Sequence, residues 1–274
     1  MRSIIIPTDF SPVSTNAMNY AIEMAKELKT SITLLHVFQI PVSITEVPIV
    51  MASAEKLKME AEKKLDEVKK GIEHISSGEL KIYTEARVGN VVDELEDFCE
   101  KIKPFAVIMG TKGTTGIERI LFGSTTLTAI KHLSFPVIVI PPGATYKSIK
   151  KIGFACDLQQ VVETTPIQYI KDMVNEYKAA FFVLNVDYDN KHFKPETPEQ
   201  SLLLHTMVES LKPSYHFIEH EDIEDGIHEF AETNNLDLVI TIPKKHKLLD
   251  TLFRPSSTKQ LVFNAHIPIM CIHE

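Results

Sequence analysis

The stretch Gly110-Thr111-Lys112-Gly113-Thr114-Thr115-Gly116-Ile117-Glu118-Arg119-Ile120-Leu121-Phe122-Gly123-Ser124-Thr125 decides how the chain is read. It follows the apolar run Phe105-Ala106-Val107-Ile108-Met109 and leads into the helical pattern of Thr126–Leu133. A buried strand thus opens into a glycine-bearing loop, and a hydroxyl pair, Ser124 and Thr125, starts the next helix. Glycines let main-chain N–H groups approach a ligand with no Cβ in the way. A helix N-terminus adds unpaired N–H donors and a dipole that favours negative charge. Two residues separate Gly110 from Gly113, nine separate Gly113 from Gly123, and a hydroxyl follows at once. In a strand–loop–helix setting this spacing describes a phosphate cradle. The plain alternative is a surface loop whose glycines serve only turns.

At 274 residues the chain is long enough for one large or two ordinary domains. With 44% apolar and 24% charged residues it reads as a soluble globular protein. A net charge of −8, with no basic stripe carrying interleaved aromatics, excludes nucleic acid as a main partner. No apolar run approaches the roughly 18 residues of a membrane span, and the apolar stretch after Met1 is too short for a signal peptide. The expectation is a cytoplasmic protein with no membrane contact. Cys99, Cys156 and Cys271 are scattered without a CxxC and read as small, reduced core hydrophobes.

The chain repeats itself. Val107–Pro136 aligns without a gap to Val239–Pro268 at a constant offset of 132, so Gly110 meets Ile242 and Ser124 meets Ser256. Ile4–Asp9 corresponds to Ile152–Asp157, and Leu34–Val37 to Val183–Val186. The offset falls from 149 to about 135 between the second and third strands, which makes the second repeat shorter there. The breaker Pro141-Pro142-Gly143 sets a boundary between a domain of residues 1–145 and one of 146–274. In the first repeat, strands are expected at Ser3–Pro7, Ser31–Phe38, Leu80–Ala86, Phe105–Met109 and Val137–Ile140. Helices are expected at Ser14–Lys29, Ala52–Ile75, Val91–Lys103 and Ser124–Leu133. Leu57, Ala61, Leu65, Val68, Ile72 and Ile75 form one apolar stripe of the second helix.

The strands lack polar alternation, as parallel strands covered on both faces do. Alternation of strand and helix with right-handed crossovers gives an α/β fold of two tandem doubly wound domains. Each is a five-stranded parallel sheet with helices on both faces. In such sheets ligands bind beyond the C-terminal strand ends where strand order reverses, and Asp9, Val37 and Gly110 all lie at such ends.

Ile4-Ile5-Ile6-Pro7-Thr8-Asp9-Phe10-Ser11, Leu34-Leu35-His36-Val37 and the glycine loop together resemble the universal stress protein family in its tandem two-domain form. The resemblance covers essentially the whole chain, specific in the first repeat and architectural in the second. It implies an adenine-nucleotide alpha-hydrolase-like fold that binds ATP with Mg2+. Adenine would sit at the ends of the first two strands, with ribose and phosphates on the glycine loop. By position, it implies that Asp9 accepts from the adenine amino group and Val37 offers main-chain contacts. Pro7 and Thr8 would line that end, Met109 would pack nearby, and Gly110 would lie by the ribose. Gly113, Gly123, Ser124 and Thr125 would supply N–H and hydroxyl groups to the phosphates.

The same residues have plainer readings. Asp9, placed before Ser11 and a helix, is also a natural turn or capping residue, and Ser124 a natural N-cap. Lys112 and Arg119 serve equally as phosphate counter-charges or as solvated surface. In the second repeat Ile242, Lys245 and Pro255 replace Gly110, Gly113 and Gly123, which leaves a scaffold with a degenerate loop.

No GxSxG, HExxH or Walker sequence occurs. The resemblance therefore implies an ATP-binding stress or regulatory protein rather than an enzyme. The alternatives are a non-nucleotide interaction module of the same fold, or a slow ATPase or self-phosphorylating protein using Ser124 or Thr125. His216-Phe217-Ile218-Glu219-His220 falls on the third strand of the second repeat, opposite Lys81–Glu85. Strand rise separates its two rings by roughly 13 Å, too far for one zinc, so these read as solvated histidines. Each repeat ends in an apolar strand, Val137–Ile140 and Ile269–Ile272. The resemblance implies that single-domain relatives dimerise through this strand. The two are expected to meet across a pseudo-two-fold axis as an intramolecular pair, with a further homodimer left open.

Overall fold

The computed structural model describes residues 3–40, 47–111, 124–189, 191–243 and 266–273. Its first half runs β1 (Ser3–Pro7), α1 (Pro12–Leu28), β2 (Ser31–Phe38), α2 (Val47–Ile75), β3 (Ile82–Val88), α3 (Val91–Ile102), β4 (Ala106–Gly110), α4 (Ser124–His132) and β5 (Val137–Ile140). The second runs β6 (Lys151–Ala155), α5 (Val161–Thr164), α6 (Ile167–Tyr177), β7 (Ala180–Asp187), α7 (Thr197–Val208), β8 (Ser214–Glu219), α8 (Ile223–Thr233), β9 (Leu238–Thr241) and β10 (Ile269–Cys271).

All strands join one ten-stranded sheet in the order β3-β2-β1-β4-β5-β10-β9-β6-β7-β8. Pairing is parallel except at β5–β10, where Val139 faces Ile269, Ile138 faces Met270 and Val137 faces Cys271. Side chains alternate across this sheet. Ile4 and Ile6 enter a core with α1, α2, α6 and α7, while Ile5 enters one with α3, α4 and α8. Both faces are covered, which is why the strands read as continuous apolar runs.

Local chemistry sets the helix ends. The Ser11 hydroxyl accepts from the Ser14 N–H at 3.3 Å, and Pro12 occupies the first turn of α1. Lysines rather than glycines close several helices in the left-handed region, namely Lys29, Lys103, Lys178 and Lys212. The backbone strain is offset by placing an ammonium at the negative end of the helix dipole. The helix after β6 is broken into α5 and α6 at Thr165-Pro166, where Thr165 turns extended because proline follows it.

The α1 helix also holds the connection between the halves. Its Asn16 amide donates to the Pro141 carbonyl at 3.1 Å. Tyr20 packs edge-on against Tyr146 at 5.0 Å. Glu27 accepts from the hydroxyls of Tyr146 at 2.8 Å and Ser148 at 2.7 Å. The Tyr146 hydroxyl also lies 3.3 Å from that of Tyr177 on α6. Burial first, then Tyr177 and Glu27, raise the Tyr146 pKa and keep this hydroxyl protonated.

Three expectations need correction. Ile75 is exposed, outside the buried stripe of α2 that Ala61, Leu65 and Ile72 define. β3 starts at Ile82 and ends at Val88, two residues later than its apolar run suggests. Ala86 pairs with His36 as Phe217 pairs with Asn185, so the third-strand offset is 131 and His216 stands where Glu85 does. His216 is half-buried rather than fully solvated, its Nε2 lying 2.9 Å from the Ser214 hydroxyl. Strand alternation turns its ring inward, 5.6 Å from Phe182 and 4.7 Å from Phe230. His220 lies beyond β8, with Nδ1 2.6 Å from the Asp222 carbonyl.

Cys99 and Cys271 are buried and Cys156 is half-buried. Burial pushes both buried thiols up to about 12, leaving almost no nucleophilic thiolate at neutral pH. Iodoacetamide should therefore label only Cys156 in the native protein, and all three cysteines after denaturation. Intact-mass spectrometry of the two samples checks this.

Candidate functional site

Strand order reverses between β1 and its two neighbours, β2 and β4, and a cleft of ≈ 200 Å³ opens beyond their C-terminal ends. Pro7, Thr8, Asp9, Val37, Met109, Gly110, Ser124 and Thr125 all line it. Gly113 and Gly123 lie outside the described residues, as do Lys112, Arg119, Lys245 and Pro255. The structure adds Ser11, Val13, Ser14, Leu35, Val91 and Thr126. The Ser11-Pro12-Val13-Ser14 capping pattern could have indicated the first three. Val91 carries no local signal; the β3-to-α3 crossover brings it in.

One side of the cleft is the β1–α1 turn. The Thr8 hydroxyl accepts from the Phe10 N–H and the Asp9 carboxylate from the Ser11 N–H, each at 3.0 Å. Phe10 sits at φ 61, a strained conformation for an aromatic residue that these bonds over-determine. The Thr8 N–H donates to the Leu35 carbonyl at 2.8 Å, and His36 Nδ1 lies 2.7 Å from the Thr8 carbonyl. A carbonyl only accepts, so this imidazole carries its proton on Nδ1. Burial alone would raise the Asp9 pKa, but hydrogen bonds from Ser11 and Ser14 outweigh it and hold the carboxyl below its ordinary value. Asp9 is therefore a charged acceptor at neutral pH.

The second half repeats this turn without the glycine loop. Asp157 accepts from the Gln159 N–H at 3.1 Å, and Leu158 stands at φ 53. Asn185 donates to the Cys156 carbonyl at 3.0 Å, in the place of His36. The turn role of the aspartate is thus common to both halves, and any ligand role of Asp9 is additional to it.

The opposite side is built from β4 and α4. A Cβ on Gly110 would lie 2.7 Å from the Val13 carbonyl oxygen and 2.8 Å from Val13 Cγ1. The first turn of α1 therefore closes on bare backbone. The Thr126 hydroxyl donates to the Gly110 carbonyl at 3.0 Å and fixes the start of α4 beside it. Ser124 and Thr125 stand on that helix N-terminus, while Leu35, Val37, Val91 and Met109 give the other walls an apolar character. The arrangement suits a flat apolar group bearing a hydrogen-bond donor toward Asp9, joined to an anion near α4. No cluster of three or more potential metal ligands occurs among the described residues.

The sequence profile of the universal stress protein family matches residues 1–141, the half that carries this cleft. The chain belongs to the universal stress protein family. A universal stress protein of Methanocaldococcus jannaschii is 37% identical over 144 residues, which cover 51% of this chain and 81% of that one. The solved universal stress protein from Archaeoglobus fulgidus superposes over 99% of this chain and 98% of its own, with a TM-score of 0.77 at 17% identity. A Pseudomonas aeruginosa structure of the same description covers 99% of this chain and 93% of its own, at a TM-score of 0.60 and 10% identity. The family sequence signal thus marks the first half, and the likeness of fold extends along the whole chain.

Proposed function

We propose that the chain binds one adenine nucleotide, ATP accompanied by Mg2+, in the cleft of residues 1–145 and acts as a cytoplasmic nucleotide-dependent stress or regulatory protein. The observation that carries this reading is the meeting of an apolar slot, an ionised Asp9 and a hydroxyl-bearing helix N-terminus at the strand-order reversal. At ≈ 200 Å³ the cleft is smaller than the roughly 300–1,000 Å³ of whole-ligand pockets, which suits base and ribose. The phosphates fall to Ser124, Thr125 and the glycine loop. Mg2+ would come with the nucleotide, which Ser124 and Thr125 at the start of α4 are placed to receive. Residues 146–274 serve as a built-in partner. Ile242, branched and half-buried, stands where Gly110 does, against a nucleotide in that half.

Calorimetry with Mg-ATP should give a stoichiometry near one, and Gly113→Val should abolish binding without unfolding. The two aspartates supply an internal control. Asp9→Ala and Asp157→Ala each remove the turn hydrogen bond from the N–H two residues on, at about 0.5–1.5 kcal/mol for that bond. Only Asp9→Ala should also weaken ATP, by roughly tenfold or more. Equal affinities in both variants, or two equivalent sites, would overturn the assignment.

Hydrolysis should stay far below the roughly 1–100 s⁻¹ of kinases, because the proposed phosphate contacts are main-chain and hydroxyl donors, which bind rather than activate water. A rate in that range that is lost in Ser124→Ala would favour the ATPase reading instead.

A further inference from the structure

β3 and β8 form the two free edges of the sheet, and they are finished differently. α2 packs on β2 and β3, leaving Tyr83 55% and Val88 42% exposed, whereas α7 packs against α5 and α6. α7 reaches β8 through His205, whose ring stands 5.7 Å from Tyr215. Phe217, at the position equivalent to Ala86, is left 68% exposed. Native edge strands usually carry lysine, proline or a covering element to prevent pairing, and Ser214–Glu219 contains neither residue.

The edges also differ in self-complementarity. A two-fold antiparallel pairing sets residues of like parity opposite each other. Centred on the middle of β3, it would bring Glu85 against Glu85. Arg87 could not relieve this, being held by Glu85 at 3.2 Å, Glu94 at 3.2 Å and Asp97 at 2.8 Å. Centred on Phe217, the same operation on β8 sets phenylalanine against phenylalanine and His216 against Ile218 of the second copy. It also carries Lys212, just before the strand, onto the acidic run Glu219, Glu221 and Asp222 just after it. The positive start of β8 meets the negative end of its copy, twice. Among the described residues neither Lys212 nor Glu221 has an ion-pair partner within the chain.

We propose that the β8 edge is a docking surface for a second copy of this chain, paired antiparallel about Phe217 to continue the sheet across a two-fold axis. The aromatic pair supplies apolar contact, and the flanking charges fix direction and register.

Sedimentation of the full chain should show a concentration-dependent dimer. Phe217→Lys sets two ammonium groups against each other and should raise the dimer dissociation constant at least tenfold, with an unchanged circular dichroism spectrum. Register is tested by Phe217→Cys in a Cys156→Ser background. Directly opposed residues have Cα atoms roughly 4.5–5.5 Å apart, within disulfide reach, so mild oxidation should link the chains. Tyr83→Cys on the β3 edge, in the same background, should stay unlinked. A chain that remains monomeric into the high micromolar range overturns the proposal. So does linkage through Tyr83→Cys with none through Phe217→Cys.

Discussion

Replacing Gly110 with isoleucine should abolish nucleotide binding while the fold survives. The Cβ alone would arrive 2.7 Å from the Val13 carbonyl oxygen, and that neighbour is backbone in the first turn of α1, which cannot rotate away. Overpacking of this kind costs about 1–3 kcal/mol, and the strain is relieved by pushing the start of α1 outward. Val13, Ser14 and Ser11 all line the cleft, so the displacement deforms the wall beside Asp9. The expected result is a loss of ATP affinity beyond a hundredfold with a fall in melting temperature of roughly 4–8 °C. Gly110→Ala should give a smaller version of both effects. The second half shows that the fold tolerates isoleucine here, for half-buried Ile242 packs against the core, and the helix after β6 is broken after four residues. Calorimetry and thermal melts on the two variants check the claim. Undiminished affinity in Gly110→Ile would show that the first turn of α1 is no part of the site.

Gly110 also shows what was legible in the sequence and what was not. Its pattern demanded a residue without a Cβ, and the structure agrees. The partner that imposes this is Val13, some hundred residues earlier in the chain, which no local spacing encodes. β1 and β5 fall where their apolar runs end, because strands buried on both faces leave no ambiguity of face. β3 was shifted by two residues, since an edge strand mixes exposed and buried positions and its run blurs. His216 reads as solvated in the sequence, and its half-burial comes from Phe182 on β7 and Phe230 on α8, which no local spacing brings against it. Asp9 was legible in both of its readings, and the matching turn at Asp157 separates them. Val91 enters the cleft through a crossover, and the Glu27–Tyr146–Tyr177 contact joins three distant segments. Neither leaves a periodic trace.

Replacing Val139 with lysine is expected to have the larger effect on the whole molecule. Val139 is 1% exposed, paired with Met109 on β4 and with Ile269 on β10. Residues Val137–Ile140 are all buried, and side chains of this kind contribute about 1.5–3 kcal/mol each. A lysine at this position must either bury its ammonium, at several kcal/mol, or part β5 from β10 to reach water. Either outcome consumes most of the roughly 5–15 kcal/mol that holds a domain folded. Parting the strands exposes two apolar edges at once, and such edges recruit other chains. The variant should therefore aggregate, or sediment as new oligomers that bind apolar dyes, while Ile75→Lys, at a position 72% exposed, should behave as wild type. On the proposed reading of residues 146–274 as a built-in partner, cover for this edge is what the second half supplies without its loop glycines. Its last strand, Ile269–Cys271, is buried against β5 and covers an edge that the first half would otherwise present to every other copy. A Val139→Lys protein that stays soluble, compact and unchanged in sedimentation would mean that β5 needs no such cover.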